Sequence, residues 1–355
     1  MTSAWTQTRI LNLHTRTRWP EMCLLLLRRA VTAHSGRFCV LLFVAMSFLG
    51  IASALCQAPW NPGPGHDQIA LWPSLPPDAR SSDGPETVQT TGKDSLVAGR
   101  PWVAVEHVSR PTLTVYQPQK NNSGAAILVF PGGGYKILAI DLEGTEICDW
   151  LVAKGITCVL LKYRVPAPRS APDWGAYPQS AMALEDAQRA ISLVRFHAKD
   201  WRLDPHKIGV LGFSAGGHLV AATSVHYSQR LYKTVDSADT ASCRPDFAIA
   251  LYPGHLATHP GTWALNPDIA VRITRETPPT FLLQNEDDPV DSVWNALTYY
   301  AALKAHGVPA ELHSYAHGGH AFGLRRTADA ASDWPRLVET WLIGLHVISA
   351  SSSGS

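Results

Sequence analysis

The amino-acid sequence predicts an α/β protein built on a mainly parallel β-sheet covered by helices on both faces. Two observations carry the prediction. Short, largely apolar runs of buried-strand type recur at 125–130, 157–163, 247–252 and 280–284, with helix-length stretches near 142–154, 180–198 and 294–306 interleaved among them. The pentapeptide Gly212-Phe213-Ser214-Ala215-Gly216 stands between the apolar run 207–211 and a helical pattern beginning at Gly217, which reads as a strand, a sharp turn and a helix.

Taken in order, the chain begins with a targeting pattern. Arg28, Arg29 and Arg37 precede the apolar stretch 38–51, and Ala52-Ser53-Ala54 offers a small-x-small cleavage site. The apolar core is too short to favour a spanning helix, so residues 1–54 are read as a signal peptide cleaved after Ala54, against a signal anchor. Met22 is an alternative start, and Leu55-Cys56 departs from a lipoprotein box. Residues 55–100 are rich in Pro, Gly, Ser and Asp and are expected to form an extended N-terminal arm, with Ile69-Ala70-Leu71-Trp72-Pro73 as its one apolar exception. The domain proper is expected over 101–348, with 349–355 a flexible tail. Within it, edge strands are expected near 102–109 and 111–116, and a last strand at 310–315 follows a Gly307-Val308-Pro309 break. No internal repeat is apparent.

Composition bounds the function. The chain of 355 residues, 46% hydrophobic and 17% charged, easily builds a core, and about 250 residues fit one α/β domain. A net charge of +1 argues against a nucleic-acid partner. No Walker lysine motif, dinucleotide G-x-G-x-x-G or zinc-type Cys/His spacing is present; His313 and His317 are four apart but on a strand and a loop. Neither a metal nor a cofactor is expected. Cys148, Cys158 and Cys243 make an odd number inside the domain, which argues against a disulfide framework and leaves a single bridge open.

The pentapeptide points to chemistry. Ser214 would sit exposed on a strained turn, with glycines two residues to either side letting the strand and helix pack closely. A serine hydroxyl is a poor nucleophile until a base takes its proton, and that base needs a carboxylate to orient it, in the chain order Ser, acid, His. Both fall in the C-terminal third. After the strand at 280–284 come Asp287 and Asp288; Asp288, before Pro289-Val290, is preferred, and Asp287 is the rival as a turn or cap carboxylate. His320 follows Gly318-Gly319, whose free backbone lets an imidazole swing back towards the turn, whereas His317 is the rival and His218 is expected to cap or pack on the helix after Ser214. Donors for a developing oxyanion are expected from the amides of Gly133, Gly134 and Ala215, because Pro131-Gly132-Gly133-Gly134-Tyr135 follows a buried strand.

From about Ile69 to Leu345 the chain resembles the α/β-hydrolase superfamily, and within it the secreted bacterial carbohydrate esterases that include acetyl xylan esterase-like and feruloyl esterase-like proteins. The resemblance rests on 129–135, Lys162-Tyr163-Arg164, Asp204-Pro205, 212–218, Asp288-Pro289-Val290 and 319–323. It implies a mainly parallel eight-stranded sheet and a secreted, metal-free serine esterase acting on short-acyl esters, small or carried on a polysaccharide, with no lasting membrane insertion. Many esterases carry His-Gly-Gly-Gly where this chain has Pro131-Gly132-Gly133-Gly134, so any anchoring by that histidine is lost. Tyr135 and Tyr163 are candidate substrate-binding residues, and Trp174, Trp263 and Trp294 are further rings for a sugar to stack on. Three other readings share parts of the pattern. A lipase-like esterase uses the same triad. A serine peptidase would need a larger cap than the roughly 27 residues between Tyr252 and Thr280. A xylan glycosidase would need two carboxylates flanking the bond, for which Glu143 and Glu146 are the candidates, although an exposed helix face is their expected place.

Overall fold

A strand buried at every position needs cover on both faces, and β-strands of that kind form the middle of this protein. The computed structural model describes residues 59–79, 82, 84–166 and 180–350; the region read as a signal peptide, Trp174 and residues 351–355 lie outside the described residues. The strands are β1 (Gln68–Ala70), β2 (Thr87–Thr90), β3 (Val103–Glu106), β4 (Thr112–Tyr116), β5 (Ala126–Phe130), β6 (Ile137–Ala139), β7 (Thr157–Lys162), β8 (Ile208–Phe213), β9 (Ala248–Leu251), β10 (Thr280–Asn285) and β11 (Ala310–Tyr315). Eight of them form the main sheet, in the order β1-β4-β7-β5-β8-β9-β10-β11. From β7 to β11 every pairing is parallel, while β4 runs antiparallel to β7 and β1 antiparallel to β4. The expected mainly parallel sheet is present.

Parallel neighbours require long crossovers, and helices supply most of them. The longer helices are α1 (Glu146–Ala153), α2 (Ser180–Phe196), α3 (Ala215–His226), α4 (Trp294–Ala305) and α5 (Trp334–Gly344). A disulfide joins Cys148 on α1 to Cys158 on β7, and Cys243 is a buried free thiol. The question left open by the odd cysteine count thus resolves to one bridge.

Two expectations need correction. The stretch 111–116, expected at a sheet edge, forms β4 and lies between β1 and β7, while β3 belongs to a separate antiparallel sheet of order β2-β3-β6. The described residues before 100, expected as an extended arm ahead of the domain, belong to the same compact unit as the rest. They supply the edge strand β1 as well as β2, and Trp60, Leu71 and Trp72 are buried in the core. Burial of charge explains why. Lys162, at the end of β7, is buried, and both oxygens of Glu86 accept hydrogen bonds from its Nζ at 2.8 Å. Next to it Arg164 is buried against Asp186, whose carboxylate also accepts from the Trp72 indole Nε1 at 2.8 Å. The Trp72 ring lies 6.0 Å from the Arg164 guanidinium and 5.9 Å from that of Arg189. Turn-like composition conceals these contacts, because each partner is far away in sequence.

This packing predicts that Trp72→Ala lowers stability by about 3–5 kcal/mol, the cost of emptying a buried aromatic site. Urea unfolding measures it as a fall in the midpoint. A segment lying outside the fold would give a change near zero.

Candidate active site

The turn at Ser214 is held in a conformation that side chains seldom adopt, with φ 53° and ψ −118°. The surroundings over-determine it. The Ser214 amide donates to the Leu251 carbonyl at 3.0 Å, and its carbonyl accepts from His218 N at 3.0 Å and Gly254 N at 3.2 Å. The two flanking glycines are required by close approach: a Cβ on Gly212 would collide with the Gly216 carbonyl, and one on Gly216 with the Phe130 carbonyl. Ser214 therefore stands at the junction of β8 and α3, at the C-terminal end of the parallel strands. The strained turn is as expected, but the serine is not openly presented, for it is only 7% exposed beneath the loops that follow β10 and β11.

The residues selected from the sequence meet there. His320 Nε2 lies 3.0 Å from Ser214 Oγ, and its Nδ1 lies 2.7 Å from Asp288 Oδ2. Asp288 follows β10 and is fixed from several sides: Oδ1 accepts from the amides of Val290 and Asp291, at 2.8 and 2.9 Å, and Oδ2 from Gln284 Nε2 at 2.9 Å. The loop that carries His320 is tied to the end of β10, since Asn285 Nδ2 donates to the Gly319 carbonyl and the Gly319 amide donates to Asp287 Oδ1, both at 2.9 Å. Gly318 and Gly319 have φ of 152° and 61°, so the turn back to Ser214 does use their backbone freedom.

The rivals lie elsewhere. His317 is 80% exposed and pairs with Asp287 at 3.3 Å on the surface, so that carboxylate clamps the loop and stays out of the Ser214 site. His218 packs on α3, its Nδ1 2.8 Å from the Tyr135 hydroxyl, and burial pushes its pKa down to about 4. Tyr135 and Tyr163, the substrate-binding candidates, need correction: both are completely buried, with hydroxyls engaged by His218 and by the Pro131 carbonyl. They brace the glycine loop. Trp263 is 66% exposed and packs edge-on against Trp294 at 5.0 Å.

The Gly132–Gly134 loop leads directly into β6, so the small sheet anchors it. The Gly132 carbonyl accepts from Ala139 N, and that of Gly133 from Lys136 N and Ile137 N. The Gly132 amide donates to Glu143 Oε2 at 2.8 Å, and Tyr252 donates its hydroxyl to Glu143 Oε1 at 2.9 Å. Glu143 is therefore buried and occupied at both oxygens, not on the exposed helix face expected for it; burial raises its pKa, opposed by His320 and by the two hydrogen bonds. Glu146 instead pairs with Arg325 at 2.8 Å and Arg100 at 3.0 Å.

A residue that the sequence does not single out completes the site. Asp291 is buried, with Oδ2 3.3 Å from Ser214 Oγ and 3.8 Å from His320 Nε2. Nothing in the local pattern distinguishes it from a turn residue after Pro289-Val290. Burial opposes a charge on His320, but Asp288, Asp291 and Glu143 outweigh that effect and hold its pKa above the ordinary value. Among the described residues, no group of His, Cys, Asp or Glu is arranged to hold a metal ion.

An eight-stranded, mainly parallel sheet with a serine on the strand-to-helix turn, facing a histidine and an acid from later loops, is the architecture of an α/β hydrolase. The BD-FAE family model matches residues 113–252. The crystal structure of an acetyl ester-xyloside bifunctional hydrolase from Caldicellulosiruptor lactoaceticus is 31% identical with a TM-score of 0.61, covering 80% of this chain and 97% of that one. An acetylxylan esterase of Xylanibacter ruminicola is 30% identical over 58% of this chain, and an esterase structure from Thermogutta terrifontis shares the fold at 20% identity and a TM-score of 0.56, covering 78% of this chain and 97% of that one. The chain spans 42% of the length of the acetylxylan esterase. It belongs to the α/β-hydrolase superfamily, in its carbohydrate esterase branch.

Proposed function

We propose that this protein is a secreted serine esterase that removes short acyl groups from carbohydrate. The observation that carries the reading is the continuous relay from Asp288 through His320 to Ser214 Oγ, with spacings of 2.7 and 3.0 Å. His320 takes the Ser214 proton as Oγ attacks the ester carbonyl. The amides of Gly133, Gly134 and Ala215 receive the oxyanion, the C–O bond to the alcohol breaks, and His320 returns the proton to the leaving oxygen. Water then attacks the acyl-enzyme by the same route and releases the acid. The carbohydrate part of the reading is supported by the relatives, whose names include acetylxylan esterase and acetyl ester-xyloside hydrolase. The occupation of both Glu143 oxygens by protein donors weighs against using that residue as a glycosidase acid.

Ser214→Ala is expected to reduce release of acetate from acetylated xylan and of p-nitrophenol from p-nitrophenyl acetate by several orders of magnitude, leaving the folded state intact. Retention of most of either activity by the pure variant overturns the mechanism, as does the appearance of new reducing ends in place of acetate.

The base must be neutral to act, so kcat/KM falls as the pH drops through the pKa of His320. Because the neighbouring carboxylates raise that pKa, the acid limb of the pH profile is expected above the ordinary histidine value. A limb below it contradicts the assignment.

Secretion is supported by the Cys148–Cys158 disulfide, which suits an oxidising compartment, and by the targeting pattern in residues 1–54. Mass spectrometry of the protein from its native host is expected to show a mature chain beginning at Leu55. Retention of residues 22–54 would favour an anchor.

A further inference from the structure

A buried carboxylate normally has a full cation or several donors beside it, because desolvated charge is costly. Asp291 is poorly provided. Its backbone amide is bound by Asp288 Oδ1 and its carbonyl by Gln284 Nε2, so the loop is secured without the side chain. Among the described residues, the contacts of its carboxylate are the Ser214 hydroxyl at 3.3 Å and His320 Nε2 at 3.8 Å. It also lines a cavity of about 210 Å³ together with His255, Thr258, Ser292 and Asn295. That cavity is below the usual range for drug-sized ligands, roughly 300–1,000 Å³, and its lining sets hydroxyl, amide and imidazole groups beside Ala257, Pro260 and Val290. It suits one small polar unit.

The position of Asp291 relative to the reaction is informative. In the esterase reading, on which this inference rests, the leaving oxygen must come within hydrogen-bond reach of His320 Nε2 to receive the proton. A hydroxyl on the adjacent carbon, staggered gauche to that oxygen, then lies within hydrogen-bond distance of it. An acceptor 3.8 Å from Nε2, on a residue that also borders the pocket, is placed to meet such a hydroxyl. We propose that Asp291 is a specificity-determining residue: its carboxylate accepts a hydrogen bond from the hydroxyl next to the scissile ester, so that the enzyme selects monoacylated vicinal diols, the unit presented by partly acylated sugar rings. The donated hydrogen also masks the carboxylate's charge while the oxyanion develops nearby.

The selectivity should titrate. Burial, with Asp288 adding to it and His320 and the Ser214 hydroxyl opposing, pushes the Asp291 carboxyl up to about 6. The charged or titratable groups around it are His320 and Asp288, with His255 on the lining of the same pocket and Glu143 acting on His320 in turn. The ionised form is the better acceptor, so selectivity rises with pH through that value. Changes in His320 affect matched substrates alike and cancel in a ratio.

The test compares trans-2-hydroxycyclohexyl acetate with cyclohexyl acetate, each kcat/KM divided by the rate constant for hydroxide hydrolysis of the same ester. The wild-type ratio is expected to favour the hydroxy ester at least ~10-fold at neutral pH, the effect of a hydrogen bond to a charged group. It should fall towards unity below about pH 5. In Asp291→Asn the ratio is expected to drop to within ~3-fold of unity and to lose its pH dependence. A wild-type ratio near one, a ratio that survives Asp291→Asn, or a ratio flat with pH overturns the inference, and the first and last of these require no variant. Hydrolysis of both acetates at equal efficiency would leave the esterase reading standing, whereas a protein inert on both and on p-nitrophenyl acetate would overturn that reading as well.

Discussion

The near-contact of backbone around Ser214 is the constraint on which the site depends. β8 and α3 approach until only hydrogen fits at Gly212, α3 meets the end of β5 as closely at Gly216, and Ser214 holds its positive φ between them. The sheet then distributes the remaining groups. Because β9, β10 and β11 lie in parallel register beyond β8, the chain leaves each of them at the same end as the serine, and Tyr252, Asp288 and His320 arrive from three successive loops. Parallel pairing therefore substitutes for closeness in sequence.

Glu143 joins the two halves of this arrangement. One of its oxygens holds the Gly132 amide, and the other holds the Tyr252 hydroxyl, whose ring lies 4.9 Å from the His320 imidazole. The same hydroxyl accepts from the Gly323 amide just beyond His320. Thus the glycine loop and the loop that carries His320 share one buried carboxylate. This gives a physical reason why a proline can stand at position 131 where many esterases have histidine: the glycine loop has another anchor.

What can be read from the sequence follows from the range of each signal. Ser214, Asp288 and His320 are legible because each sits shortly after a buried strand or its neighbour, and local pattern reports strand ends well. Gly318-Gly319 likewise distinguishes His320 from His317. Asp291, Glu143 and the two tyrosines are not legible, since their roles depend on which distant group faces them. Tyr135 has the same one-dimensional neighbourhood whether its ring is open to solvent or buried on His218. The segment before residue 100 reads as an arm for a related reason: its strands are short, and the apolar run at 69–73 shows its purpose only once Asp186 and Arg164 are brought to Trp72.

The buried charges of that segment bear on where the protein begins as a physical object. The stretch recognised by the family model starts at Leu113, yet β7 within it carries Lys162 into a buried place where Glu86 is its counterion. A chain begun at Leu113 would retain the Ser214 turn and lose the edge strand β1, the buried Trp60 and Trp72 and the acid that neutralises Lys162. The boundary of resemblance and the boundary of cooperative folding therefore fall at different places in the chain, and it is the second that decides which fragments persist when a protease tests them.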